Sequence, residues 1–378
     1  MAVPKPSFTV GIEEEYMLVD LESRDLVKDP PPSMMAECKA LMRGQVSPEF
    51  LRGQIEVGTR VSRTVGEARR DLARLRRVVS DVALRHGMAP IAASTHPFAK
   101  WGELLVTDKA RYQILLKELE TVGRRLVISG MHVHVGIDDD DLRIDLMSQF
   151  SYFLSHLLAL STSSPFWHGS DTGLKSYRSS VFKSLPRTGI PVNFTSWGEY
   201  QRHVDVLVGA GLITDATKLW WDIRPSVRYP TLEMRATDIC TRLDDGMALA
   251  ALTVSLMHML YRLRSGNKRW RTYARMLLEE NMWRAQRYGI HAPLMDFGQG
   301  ILVPIPDLVD EMIEMVEEDA QLLGCRDELL GLREILVRGT SADRQIATYE
   351  AALAGGAQES EALQAVVDFL IRETVTGL

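Results

Sequence analysis

Cysteine is scarce in this chain. The three present, Cys38, Cys240 and Cys325, are odd in number and widely separated. That argues against a disulfide framework or a zinc-ligand spacing, and it suggests free thiols in a reducing cytoplasm. Long hydrophobic runs are missing too. No stretch of about 18 uncharged apolar residues occurs, and Met1–Ser7 (MAVPKPS) has no leader-like apolar core, so no membrane association is expected. Basic excess is also lacking. The net charge of −6 disfavours nucleic acid or an anionic membrane as a partner. Neither GxxxxGK[ST] nor GxGxxG is found, which leaves a P-loop or Rossmann site without support. There is no repeat, no low-complexity segment and no clean linker. What is there is ordinary: 378 residues, 46% hydrophobic and 25% charged, enough for a large core in one domain spanning 1–378.

Residues 8–58 read as strands joined by loops, with a polar turn at Asp20–Asp25, a return at Leu26–Lys28 that Pro30-Pro31-Pro32 ends, and extended segments at Gln45–Phe50 and Gln54–Thr59. Strands in hairpin succession favour an antiparallel sheet over βαβ units. The apolar spacing of Leu72, Leu75, Val79 and Val82 predicts a helix over Val65–Arg85. Its cluster of arginines at 69, 70, 74, 76 and 77 reads as a solvated face paired with neighbouring acids. A short strand at Ala89–Ala93, a helix at Lys109–Leu126 and a strand at Leu126–Ile137 follow. Asp138–Asp141 then cap a long helix running to Phe166; the spacing of a calcium loop is absent. Residues 168–195 are rich in Gly, Ser, Pro and basic residues and read as a loop covering a site, with Arg178, Lys183 and Arg187 able to meet polyphosphate. Leu219–Arg224 and Thr231–Asp238 form a strand pair. From residue 244 the chain is helical, at 244–264, 270–288, 306–323, 326–337, 342–354 and 359–373.

Four strand segments share one design, apolar on one face and able to hold metal or phosphate on the other. In Gly11-Ile-Glu-Glu-Glu-Tyr16, Glu13 and Glu15 share a face roughly 7 Å apart, while Glu14 points to the apolar side and needs a partner such as a buried arginine. The second segment offers Glu56, with Glu49 seven residues before it. The third, Gly130-Met-His-Val-His-Val-Gly136, puts His132 and His134 on one face. The fourth carries Glu233 and Arg235, a costly pair if buried without countercharge, and its neighbour adds Asp222 and Arg224. Inward presentation on a curved sheet lines one trough with carboxylates, imidazoles and arginine. Hard oxygen ligands suit Mg²⁺ or Mn²⁺, and arginine beside cations suits phosphoryl transfer. A metal-dependent hydrolase, or a non-catalytic nucleotide- or amino-acid-binding protein, uses the same inventory.

These motifs, in order with Arg224-Pro225-Ser226 and Thr231-Leu-Glu-Met-Arg-Ala-Thr-Asp238, resemble the bacterial carboxylate–amine ligases of the glutamate–cysteine ligase type 2 (YbdK-like) family. The resemblance implies an α+β, glutamine-synthetase-like fold: a curved, largely antiparallel sheet forming a funnel, with helices outside. It implies ATP- and Mg²⁺-dependent joining of a carboxylate, such as glutamate, to an amine, such as cysteine, through an acyl phosphate. It makes Glu13, Glu15, Glu56 and Glu233 metal ligands, with Glu49 where a more distant relative has an acid. His132 becomes a metal- or phosphate-contacting group, and Arg235 the phosphate-stabilising arginine. Arg178, Asp222 and Arg224 become substrate or nucleotide contacts. His96 and Trp101 are candidates to flank the acceptor, and a homodimer is expected.

Overall fold

The computed structural model describes residues 5–378, so Met1–Pro4 of the leader reading lie outside the described residues. The first half of the chain forms β1 (Val10–Asp20), α1 (Pro32–Met42), β2 (Val46–Pro48), β3 (Gln54–Gly58), α2 (Val65–Arg85), β4 (Met88–Ile91), α3 (Ala110–Arg124), β5 (Met131–Gly136), α4 (Asp140–Phe150) and α5 (Leu154–Ser161). Short pieces come next: β6 (Phe166–Trp167), β7 (Ser170–Asp171), α6 (Tyr177–Phe182), β8 (Thr188–Gly189), α7 (Trp197–Gly209), β9 (Trp220–Trp221), β10 (Ile223–Pro225) and β11 (Thr231–Met234). The rest comprises α8 (Leu243–Ser265), α9 (Arg275–Tyr288), the ribbon β12 (Leu294–Asp296) and β13 (Ile301–Val303), and α10 (Ile305–Leu322), α11 (Arg326–Arg338), α12 (Ser341–Ala354) and α13 (Glu359–Thr374).

One sheet organises the fold, in the order β10-β11-β5-β1-β3-β2, with β4 also paired to β1. Every pair in it is antiparallel. This is the α+β, antiparallel arrangement with flanking helices that the resemblance implies. The central strand, β1, has two different faces. Val10, Ile12, Tyr16 and Leu18 are buried in the main core with residues of α2 and α8, each side chain contributing about 1.5–3 kcal/mol. On the opposite face Met17 and Val19 are sealed under a second cluster that includes Phe50, Leu51, Ile91 and residues of α13. Glu13 and Glu15, on that same face but nearer the strand's start, are left beside a cavity. The site is thus a trough closed at one end by hydrophobic packing. Helix α8 is long and apolar enough to cross a membrane, but 83% of its apolar window is buried inside the protein.

Several expected elements differ. The helix over Asp138–Phe166 is broken into α4, a 3₁₀ turn at Ser151–Phe153, and α5. Ser148 and Ser151 donate back to the carbonyls of Ile144 (3.1 Å) and Met147 (2.9 Å), contacts that bend helices. Its capping by acids is present, Asp139 accepting from the Leu142 N–H at 2.7 Å. Helix α1 stands where only strands and loops were expected; Pro32 at its first turn is a start signal rather than a stop. Helix α7 was not anticipated, although Ser196 caps it by accepting from Glu199 N–H. The segment 168–195 is not one loop, because β6 and β7 close a tight ribbon around its start and α6 and β8 lie within it. The strand over Leu219–Arg224 is split at Asp222: β9 pairs with β8, and only β10 joins the main sheet.

Candidate active site

Register alone assembles the trough. Residues directly opposite in an antiparallel pair share a face, and the pairs are Glu15 with Glu56, Glu13 with His132, His134 with Glu233, and Glu233 with Arg224. A diagonal row of chemistry-bearing side chains therefore crosses five strands. They line a cavity of about 370 Å³ together with Glu49, Lys109, Tyr112, Trp220 and Arg235.

At one end, one ligand atom each from Glu13, His134 and Glu233 lies within 4.8 Å of the others. His134 Nδ1 contacts Thr231 Oγ1 at 3.0 Å, and its buried Nε2 has no hydrogen-bond partner among the described residues, lying 3.5 Å from Glu13 Oε1. His132 Nδ1 is 3.2 Å from Glu13 Oε2. A carboxylate can only accept, so that nitrogen carries the proton; the 3.4 Å approach of Arg235 to the same atom is then a contact and not a hydrogen bond. Burial raises the Glu13 pKa, but the hydrogen bond from His132 and the close approach and charge of both histidines outweigh it and hold the carboxyl well below its usual range. Burial also opposes ionisation of Glu233. Its flanking arginines nonetheless keep it anionic: Arg224 donates at 2.9 and 3.2 Å, and Arg235 donates from the other side. Burial and the Arg235 charge push His132 down to about 4. For His134 burial is outweighed by Glu13 and Glu233, and its pKa is raised.

At the other end the acids crowd. Burial, then the Glu49 and Glu56 charges, push Glu15 up to about 8, against Arg178 and the Gly130 N–H, which donates to it at 2.7 Å. Tyr112 donates to Glu49 at 3.1 Å and Ser47 to Glu56 at 3.1 Å. An imidazole nitrogen near two carboxylates, with Glu15 raised by its acidic neighbours close by, fits a divalent cation. The donor set suits Mg²⁺ or Mn²⁺.

Glu14 leaves this group altogether. It is fully buried on the core face, where Arg76 of α2 donates to both its oxygens at 2.8 and 2.6 Å and Tyr16 donates as well. Arg76 is thus an exception to the solvated face expected of the arginines on α2; Arg69 and Arg74 do pair with acids, Asp244 and Asp71.

Arg178 lies over Gly130, where even a Cβ would come within 2.6 Å of its guanidinium. It lines an inner pocket continuous with the trough, not the trough itself. Lys183 and Arg187, expected alongside it, line neither cavity. Lys183 reaches toward Gln286 (3.4 Å), and Arg187 stacks on Trp220 and donates to the Lys218 carbonyl at 3.1 Å. Asp222 is half-buried among Lys183, Arg178 and Arg235, and its carbonyl accepts the Arg235 N–H at 2.8 Å. It positions Arg235 and does not line the cavity. His96 is a loop staple: its ring contacts the Arg24 carbonyl at 3.0 Å and accepts from the Phe98 and Ala99 N–H groups. Neither it nor Trp101 reaches the trough. Sequence reasoning missed Lys109 and Tyr112, because nothing in the pattern of α3 marks which turn faces the sheet.

The architecture is that of a glutamine-synthetase-like ligase. The glutamate–cysteine ligase of Francisella tularensis, solved with AMP, matches it with a TM-score of 0.68 at 13% identity, covering 100% of this chain and 90% of that one. A bifunctional glutathione synthetase from Pasteurella multocida matches with a TM-score of 0.69 at 16% identity, over 97% of this chain and 52% of that one. The model of glutamate–cysteine ligase family 2 matches residues 9–368. A Rhodospirillum rubrum protein provisionally named glutamate–cysteine ligase 2 is 59% identical over 378 residues, 99% of this chain and 97% of that protein. A similarly named Jannaschia protein is 52% identical over 366 residues, covering 97% and 96% respectively. The chain belongs to glutamate–cysteine ligase family 2, and with it to the carboxylate–amine ligases.

Proposed function

We propose that the chain is an ATP- and Mg²⁺-dependent ligase that activates a small carboxylate, glutamate for preference, as an acyl phosphate and joins it to an amine such as cysteine. The observation that carries this reading is the convergence at Glu233. One carboxylate is clamped between Arg224 and Arg235 while facing Glu13 and His134, so cation-holding and phosphate-holding groups meet at one point. Glu13, His134 and Glu233 would hold one cation, and Glu15, Glu49 and Glu56 another. Bound there, Mg²⁺ supplies charge neutralisation and orientation of the phosphates.

A carboxylate oxygen of the first substrate attacks the γ-phosphorus and ADP leaves. The amine then attacks the acyl carbon, phosphate departs, and the amine gives up a proton. Arg235 reaches into the trough from the end of β11, fixed by its own N–H on Asp222 and by Glu233. It is placed to stabilise charge on the transferred phosphoryl group. Arg224 holds Glu233 in its ionised form and donates to the Thr217 and Leu219 carbonyls. A cytoplasmic homodimer is part of the same proposal; the cysteines are buried and unbridged, as suits a reducing compartment.

The test is ADP and phosphate release with Mg²⁺ across carboxylate and amine panels. Amine-dependent ADP release is expected, lost at least 100-fold in Arg235→Ala and Glu13→Gln. Nucleotide binding without turnover for any pair of substrates would refute the ligase reading.

A further inference from the structure

Beyond the trough, the sheet and α3 enclose an inner pocket of about 140 Å³. Phe50, Leu115, Leu119, Ile128, Phe182 and Leu185 are among its apolar lining, and Glu15, Glu49, Gln54, Tyr112, His132, Arg178 and Arg235 form its polar lining. A cavity of roughly 150 Å³ lined by leucine, isoleucine and phenylalanine is large enough to hold benzene. A thiol-bearing methylene fills only a fraction of such a space. The unfilled remainder would leave apolar walls without contacts, a loss the side chain of a larger ligand avoids.

We infer that this pocket receives the side chain of the amine substrate, and that this substrate is an α-amino acid with an isobutyl- or phenyl-sized group. The inference rests on the ligase reading for its chemistry and on the pocket alone for its size. The polar lining suits the carboxylate of an amino acid, which the Arg178 guanidinium would meet. Arg178 suits that role because it lines the inner pocket and not the trough. It is buried, held by a 3.3 Å donation to the Arg235 carbonyl, and given its space by the absence of a side chain at Gly130. With the side chain seated against α3, the amine lies at the junction with the trough, where the acyl group is formed.

The experiment has two arms. In the first, ADP release with ATP, Mg²⁺ and glutamate is measured for L-alanine, L-cysteine, L-leucine and L-phenylalanine. Leucine and phenylalanine are expected to exceed alanine and cysteine at least tenfold in kcat/KM. Leu115→Trp, or Leu119→Trp if the first fails to fold, narrows the pocket. Either should cost leucine and phenylalanine at least tenfold more than it costs alanine. In the second arm, calorimetry with a non-hydrolysable ATP analogue and Mg²⁺ measures binding of the same amino acids without turnover. Preference for cysteine or alanine, or an equal loss for all four in the tryptophan variants, overturns the pocket assignment and leaves the ligase reading standing. Size-selective binding that the tryptophan variants abolish, with no turnover for any amine, upholds the pocket and overturns the ligase reading.

Discussion

Replacing Glu14 by glutamine should unfold the protein more readily without touching the site one residue away. The Glu14 carboxylate and the Arg76 guanidinium are both fully buried, joined by two hydrogen bonds of 2.6 and 2.8 Å. Glutamine removes the charge and turns an amide N–H₂ toward a group that can only donate. Removing one partner of a buried pair costs about 3–5 kcal/mol, a third or more of the stability of a typical domain. With an unfolding entropy of about 2.1 cal/mol/K per residue, the 378 residues give about 0.8 kcal/mol/K. The melting temperature should therefore fall by about 4–6 °C. Glu13→Gln leaves the Arg76 cluster intact and loses a half-buried carboxylate beside His132 and His134, so its melting temperature should fall by less than that of Glu14→Gln. The assay pairs thermal melts by circular dichroism with Mn²⁺ titration at 20 °C. Glu14→Gln is expected to melt early and bind Mn²⁺ normally, and Glu13→Gln to melt later than that and bind Mn²⁺ weakly. Glu14→Leu with Arg76→Met should lose less than the sum of the two single changes. Equal Mn²⁺ defects in Glu13→Gln and Glu14→Gln, or an unchanged melt for Glu14→Gln, would refute the alternation on which the site is built.

Two further outcomes are expected from buried groups. His156 is buried beside Tyr152, with Asp296 near it, and burial pushes its pKa down to about 4. Between pH 6.5 and 4 the unfolded state takes up the proton and the folded state does not, so stability present above pH 6.5 drains away as pH falls. The contribution is about 3 kcal/mol. Urea midpoints at pH 7 and 4 should differ less in His156→Gln than in the wild type, and equal slopes would contradict this account. Gly130→Ala should push the Arg178 guanidinium aside, since the new Cβ would lie 2.6 Å from it. The expected result is a KM for the amine raised about tenfold (~1.4 kcal/mol) with an ordinary melt; an unchanged KM would show that Arg178 does not meet that substrate.

Much of the trough was legible because strand periodicity is strict. Once Gly11–Tyr16 and Gly130–Gly136 are strands, the facing of Glu13, Glu15, His132 and His134 comes from counting by twos. The same count sent Glu14 into the core and required a cation there. Which arginine of α2 answers was not readable. Arg76 differs from Arg74 and Arg77 only in facing a β-sheet that the local pattern does not show. The basic residues of 168–195 were misjudged as a group for a related reason. Read as a loop, all three can reach a ligand. Folded into α6 and β8, the segment aims Arg178 inward, and Arg187, at φ 58, is turned onto Trp220. The late helices were placed to within a few residues because glycine and proline punctuate them, whereas Pro32 was read as ending a strand when it begins α1.

The pair that anchors β1 also ties together segments far apart in the chain. Besides Glu14, Arg76 serves the carbonyls of Thr241 (2.7 Å), Cys240 (2.9 Å) and Thr374 (3.4 Å), and the Thr374 hydroxyl caps the chain just beyond β4 by accepting from Ala92 N–H at 2.9 Å. β1 is thereby tied to carbonyls of the segment after β11 and of the end of α13. Loosening α13 would take the Thr374 carbonyl from Arg76, so the seating of the strand that carries Glu13 and Glu15 depends on a helix that lines no part of the trough.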